Sequence, residues 1–303
     1  MFDRLSELSA IDIDWRLYNI LIEPDQLELQ EKHIISTGLK NGSSEIGFIY
    51  TTYLEKLNED IESLANQISI KDTTVALEDE VFYTAKIEGA KTTRKRTSEL
   101  HNGAPINPLD KKSELMVRNG FHATKLLNLY GNKVSDKILI DVWNVLVEEV
   151  CENESIRGSR YRIGDVEVGS YVPPEYTQVE SLMENYIHFY NSPTLENYPF
   201  IKAILLHYAF ETIHPFCDGN GRMGRLLMNS YLISRGIDSA KAVSFSMLID
   251  AKRSHYDVAF IDSENDHNDC TPFLKFMLET MKETYLRVLT IQQKKEQNQK
   301  QSK

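Results

Sequence analysis

Apolar residues recur along this chain at helical spacing far more often than in strict alternation. Segments near 50–68, 74–88, 112–130, 135–152, 177–191, 198–213, 222–235 and 271–292 each carry an apolar stripe, which predicts a mostly α protein. Ser135-Asp136 reads as a helix cap ahead of Ile138, Leu139, Val142, Leu146 and Val150. Leu115-Met116 through Leu129 forms another core-facing stripe, and Ile201, Ile204, Leu205, Tyr208, Ala209 and Thr212 predict a buried helix. One stretch breaks the pattern. Tyr161 to Gly169 alternates like a small β-hairpin, and Tyr171-Val172-Pro173-Pro174-Glu175-Tyr176 then turns back to helix.

Composition narrows the class. A chain of 303 residues with 41 % hydrophobic and 26 % charged positions has the balance of a soluble globular protein. No apolar run approaches the roughly 20 residues of a membrane span. The start, Met1-Phe2-Asp3-Arg4-Leu5-Ser6-Glu7, lacks a basic-then-apolar leader, so the expected location is cytoplasmic. A net charge of −11 argues against nonspecific nucleic-acid partners and anionic membranes. Lys91, Arg94, Lys95 and Arg96 make the one basic cluster, read as a solvated loop. Cys151, Cys217 and Cys270 are odd in number and far apart, which speaks against a disulfide framework or zinc site.

The chemistry concentrates in His214-Pro215-Phe216-Cys217-Asp218-Gly219-Asn220-Gly221-Arg222-Met223-Gly224-Arg225. Pro215 ends the preceding helix and should push His214 into an extended, exposed conformation. Asp218-Gly219-Asn220-Gly221 is a turn feeding a new helix, whose first N–H groups and dipole favour a phosphate. Arg222 and Arg225 flank that point, and two cations at a helix N-terminus imply an anion between them. Asp218 is a hard oxygen ligand beside the phosphates, suited to Mg²⁺. His214 can take a proton from a hydroxyl near neutral pH.

This stretch resembles the signature of Fic-domain proteins, HxFx(D/E)GNGRxxR, at every fixed position. The resemblance implies a Fic-type helical bundle with a small β-hairpin flap, here Tyr161 to Gly169, that aligns a target segment by strand addition. It also implies a protein adenylyltransferase, moving AMP from ATP to a Ser, Thr or Tyr hydroxyl of a protein partner. By position, His214 resembles the general base and Asp218 the Mg²⁺ ligand. Gly219, Asn220, Gly221 and Arg222 resemble the α- and β-phosphate cradle, continued by Met223 and Gly224, and Arg225 the γ-phosphate contact. Gly221 stands where the phosphorylating toxin branch carries a lysine-containing variant, which argues against that chemistry. Tyr256, in Arg253-Ser254-His255-Tyr256, resembles the family's aromatic near the adenosine. Beyond it, Asn265 to Thr271 departs from the family's short turn.

A second motif lies upstream. Thr74 to Glu88 is a helical pattern closed by Gly89, which leaves Glu88 at the negative helix end unless a cation meets it. Thr84-Ala85-Lys86-Ile87-Glu88-Gly89 resembles the family's inhibitory motif (S/T)xxxE(G/N), in which the glutamate pairs with the second signature arginine, here Arg225. The implied organisation is a helical N-terminal extension over 1–73, an inhibitory helix and linker over 74–130, a catalytic core over 131–285 and a disordered polar tail over 292–303. In the extension, Trp15, Tyr18, Ile20, Leu21 and Ile22 suggest an ordered docking or homodimer surface. A de-adenylylating hydrolase and a non-catalytic interaction module are the alternative readings. His207 and Glu211, four apart on the helix before His214, are read as core rather than as a metal site.

Overall fold

The protein, seen as a computed structural model, is described over residues 34–71, 73–151, 161–169, 171–265 and 268–301. Eleven α-helices, two short 3₁₀ helices and one antiparallel strand pair account for the regular structure among these residues, in line with the helical periodicity. The proposed surface around Trp15 to Ile22 lies outside the described residues.

The extension is not wholly helical. Strands β1 (Ile34–Asn41) and β2 (Ser44–Ile49) pair antiparallel, with Ile34 opposite Ile49 and Asn41 opposite Ser44. Gly42-Ser43 supplies the tight turn, with Gly42 at φ 60, and Thr37, Leu39, Ile46 and Phe48 are buried. Helix α1 (Thr52–Ala65) follows, capped where Thr51 Oγ1 accepts from Leu54 N at 3.2 Å.

The hairpin expected at Tyr161 to Gly169 is absent in that form. The described chain there is irregular and carries a single bridge between Val168 and Tyr171. Its hydrogen bonds go elsewhere. Arg162 N donates to Pro215 O at 2.9 Å, and the buried Arg162 side chain donates to the carbonyls of His214, Gly164 and Pro174. The backbone that would have paired with itself is tied to the end of a helix instead.

Helices α2 (Thr74–Ile87), α3 (Arg94–His101), α4 (Lys111–Tyr130) and α5 (Asp136–Leu146) form one side of the molecule. Ser135 caps α5 as expected, accepting from Ile138 N at 3.3 Å. α3 replaces the expected solvated loop. Thr93 caps it, Arg94 pairs with Asp79, and Arg96 reaches the buried Glu114. Those basic residues are therefore staples between helices.

α6 (Tyr176–Asn191), α7 (Pro199–Ile213) and α8 (Asn220–Ser234) hold the centre. α7 is buried from Phe200 to Ile213 apart from Glu211, as an all-round apolar helix must be. α9 (Phe245–Ala251) and α10 (Arg253–Asn265) lie beyond the periodic segments read from sequence. α11 (Thr271–Gln301) carries residues 292–301 as helix, so the expected disordered tail is corrected there. Gln, Lys and Glu are good helix formers, and extending a helix already nucleated is easier than starting one. No helix among the described residues is long and apolar enough to cross a membrane.

Glu114 shows what holds the α2–α4 side together. It is 3 % exposed and accepts from Arg96 Nε at 2.7 Å, Arg96 Nη2 at 2.9 Å and Asn107 N at 2.6 Å. These bonds, Arg96 first, hold its carboxyl below the ordinary range despite burial. Its stabilisation is thus present above the ordinary carboxylate pKa and is lost as pH falls through the lowered value. Glu114→Ala should lower the unfolding free energy measured in denaturant titration at pH 7, because Arg96 and Asn107 N lose their acceptor.

Candidate active site

The site is built on the connection between α7 and α8. His214 ends α7 and takes a left-handed conformation, φ 50 and ψ 59, rather than the extended one expected from Pro215. For a non-glycine residue this costs about 1 kcal/mol. It is held there by His214 N donating to Phe210 O at 3.0 Å and by Arg162 Nε donating to His214 O at 3.0 Å. His214 is part-buried rather than fully exposed. Its Nδ1 faces Glu211 O at 3.4 Å, which assigns the proton to Nδ1 and leaves Nε2 as the free base. Burial first, and the Arg162 charge with it, hold the imidazole below its ordinary value of 6.5, so it is neutral at pH 7.

The turn that follows is stapled at three points. Phe216 stacks on Trp143 with centroids 4.4 Å apart and planes 6° from parallel. Trp143 Nε1 donates to Asp218 O at 2.9 Å. Asn220 closes a ring on Phe216, accepting from its N at 2.9 Å and donating to its O at 2.7 Å. The Asn220 side chain, expected in the phosphate cradle, shapes the loop. Gly219 begins α8 at φ 79, and no side chain caps the helix, so its first-turn N–H groups are left open.

Arg222 and Arg225 are both 2 % exposed. Arg222 Nη1 donates to Leu146 O at 3.2 Å, while its Nε and Nη2 have no hydrogen-bond partner. A buried guanidinium with Nε unpartnered and Nη2 in only a long ion pair, beside an uncapped helix start, is an arrangement an anion would complete. Asp218 lies 3.5 Å from Arg222 Nη2 with its side chain 38 % exposed, open enough to ligate a cation. Met223 is fully buried and its N–H donates to Gly219 O at 2.9 Å, so it has no donor for a phosphate. Gly224 faces Glu211 and His207 rather than the turn.

Arg225 is engaged by α2. Its Nε donates to Thr84 Oγ1 at 2.7 Å and its Nη2 to Glu88 Oε1 at 2.5 Å. The end of α2 explains why Glu88 points there. Gly89 takes φ 85, Gly89 N donates to Lys86 O at 2.9 Å, and Ala90 N donates to Ala85 O at 3.0 Å. This Schellman closure fixes Glu88 as the last turn's outward residue. Burial works against the Glu88 charge, yet Arg225 holds the carboxyl below its ordinary range. Arg253 Nη1 adds a second cation at this helix end, 3.5 Å from Ile87 O.

Tyr256 lines a cleft of about 350 Å³ with Val168, Tyr171, Glu211, Arg253 and Phe260. Its hydroxyl bonds His207 Nε2 at 3.0 Å, which places His207 in the core as expected. Trp143, Arg162 and Glu211 escaped the sequence reading as site-shaping residues. Only Arg162 left a trace, as a long cation inside an otherwise alternating stretch.

The comparisons with known proteins agree with this geometry. The Fic/DOC family model matches residues 134–232, which span α5 to most of α8. A protein named protein adenylyltransferase Fic from Drosophila grimshawi is 28 % identical over 208 residues, covering 67 % of this chain and 41 % of that protein. One of the same name from Aedes aegypti is 26 % identical over 243 residues, covering 76 % and 46 %. The chain thus spans less than half the length of these curated relatives. Among solved structures, a Fic family protein from Desulfovibrio desulfuricans G20 superposes with a TM-score of 0.70 at 21 % identity, covering 81 % of this chain and 76 % of that one. Fic-1 from C. elegans gives 0.65 at 20 % identity, covering 80 % and 74 %. With the signature intact on the turn between its two central helices, this chain carries a match to the Fic/DOC family model over residues 134–232.

Proposed function

We propose that this chain is a protein adenylyltransferase restrained by Glu88. The observation that carries the reading is Arg222, a buried guanidinium whose Nε has no partner and whose Nη2 meets only the half-exposed Asp218 at 3.5 Å, beside an open helix start. The relatives' printed name, protein adenylyltransferase, supports the same chemistry. ATP is the nucleotide, with its α- and β-phosphates on the first turn of α8 and Arg222, and its γ-phosphate at Arg225. The cleft beside Tyr256 takes the nucleoside.

His214 Nε2 removes the proton from a Ser, Thr or Tyr hydroxyl of a protein target. That oxygen attacks the α-phosphorus, the bond to the bridging oxygen breaks, and pyrophosphate leaves against the charge of Arg222 and Arg225. Asp218 fits Mg²⁺. No cluster of three protein ligands forms among the described residues, so water and phosphate would complete its shell, and the ion supplies charge to the leaving group. While Glu88 occupies Arg225, the γ-phosphate has no counter-charge and ATP cannot settle in the productive pose.

Intact mass after incubation with ATP and Mg²⁺ tests this. Glu88→Gly should gain AMP, on itself or on added target, several-fold faster than wild type. Adding His214→Ala should cut the rate about 10²–10⁴-fold while nucleotide binding survives. Equal rates for Glu88→Gly and wild type would remove the restraint, and AMP released from a pre-modified target would turn the assignment toward the hydrolase. Because His214 titrates below 6.5, the acid limb of kcat/KM for Glu88→Gly should fall below that pH. A limb near pH 8 would assign the base elsewhere.

A further inference from the structure

Gly221 and Gly224 lie one turn apart on one face of α8, and each faces a carboxylate. A Cβ on Gly221 would collide with Glu88. One on Gly224 would stand 2.5 Å from Glu211 Oε1 and 2.9 Å from His207 Nδ1. Two acids thus flank the same helical stripe, and Arg225 is four residues from one glycine and next to the other.

Glu211 lines the cleft beside Tyr256. Its side chain is 12 % exposed and Oε1 has no hydrogen-bond partner. On its own helix it faces His207, Nδ1 at 3.7 Å, which burial holds uncharged with its pKa pushed down to about 3. From α8 it faces Arg225, from α2 Glu88, from α10 Arg253 and Tyr256, and from α6 Tyr186. Burial pushes the Glu211 carboxyl up to about 7, Arg225 draws it down, and Glu88 pushes it up again. Glu88 and Arg225 keep their charges throughout the neutral range, since one is lowered and the other raised by their pairing.

We propose that Glu211 is a second carboxylate partner for Arg225, and that its ionisation loosens the hold of Glu88 on that arginine. The inference rests on the restraint by Glu88 described above. With Glu211 neutral, Glu88 is the only anion Arg225 meets. With Glu211 ionised, a second negative charge attracts Arg225 and repels Glu88, so the Glu88 contact weakens. Glu211 is a positioning residue here, acting through Arg225. The folded state prefers its neutral form, so the stability that form provides is full below the ordinary carboxyl pKa of 4.5 and is lost as pH rises through about 7.

The experiment is the ratio of the Glu88→Gly rate to the wild-type rate between pH 6 and 8.5, measured with Glu211 and again with Glu211→Gln. The ratio should fall about threefold or more with rising pH when Glu211 is present, and stay high and flat with glutamine, which cannot ionise. Glu88 also acts on the His214 imidazole, but that effect is the same with glutamate or glutamine at 211, so comparing the two ratio profiles removes it. The ratio of two rates in the same Glu211 background is insensitive to what Glu211 does in the cleft. A flat ratio with Glu211, or an equal fall in both backgrounds, overturns the proposal. A ratio of one at every pH overturns the restraint itself and this proposal with it, a result distinct from a ratio that is large but flat. The melting-temperature difference between wild type and Glu88→Gly needs neither turnover nor the glutamine variant. It should shrink across the same interval, and a constant difference contradicts the idea.

Discussion

A guanidinium buried to 2 % exposure needs an anion, and Arg225 has taken the end of α2 as its own. Its bonds to Thr84 and Glu88 join the helix before the family domain to the first turns of α8, where the open N–H groups and Arg222 are gathered. The stability of that contact and the openness of the site are therefore one quantity. Whatever satisfies Arg225 in place of Glu88 must bring negative charge, and a γ-phosphate does. The Schellman closure at Gly89 contributes by aiming Glu88, and the cluster of Val81, Ala85, Leu115 and Val117 seats the helix behind it.

The turn between α7 and α8 is rigid for a different reason. Its polar backbone is satisfied from outside: Trp143 takes the Asp218 carbonyl, Arg162 the His214 carbonyl, and Asn220 both polar groups of Phe216. What is left open is the set a phosphate needs, the first N–H groups of α8 and two donors of Arg222. Preorganised donors that require no rearrangement when charge develops are the most effective kind of catalytic electrostatics. The left-handed His214 belongs to the same design, since the surrounding bonds hold it with Nδ1 facing the Glu211 carbonyl and Nε2 free.

Much of this was legible in the residues, and the remainder was illegible for identifiable reasons. α7 could be read because it is apolar on every side, and the end of α2 because Gly89 follows a helical run. Gly42-Ser43 between Thr37, Leu39 and Ile46, Phe48 was a readable hairpin signal, while the alternation at Tyr161 to Gly169 misled because Arg162 bonds across the fold. α3 was masked by its charges, whose partners Asp79 and Glu114 come from other helices. In the site, the gathering of His214, Asp218 and the two arginines around one turn could be read from type and spacing. Trp143, Arg162 and Glu211 could not, because their roles depend on distances set only when the helices pack. Met223 and Gly224 look like part of a continuous cradle in the sequence, and helical phase turns them toward the core and Glu211.

The central claim is that the α-phosphorus of ATP is the group transferred. The most direct measurement is incubation of Glu88→Gly and Mg²⁺ with ATP radiolabelled at either the α- or the γ-phosphorus, using the chain itself and a soluble cell extract as acceptors. The account predicts protein-bound label that survives denaturation with α-labelled ATP and none with γ-labelled ATP. Label retained from the γ position, or from neither, would contradict it.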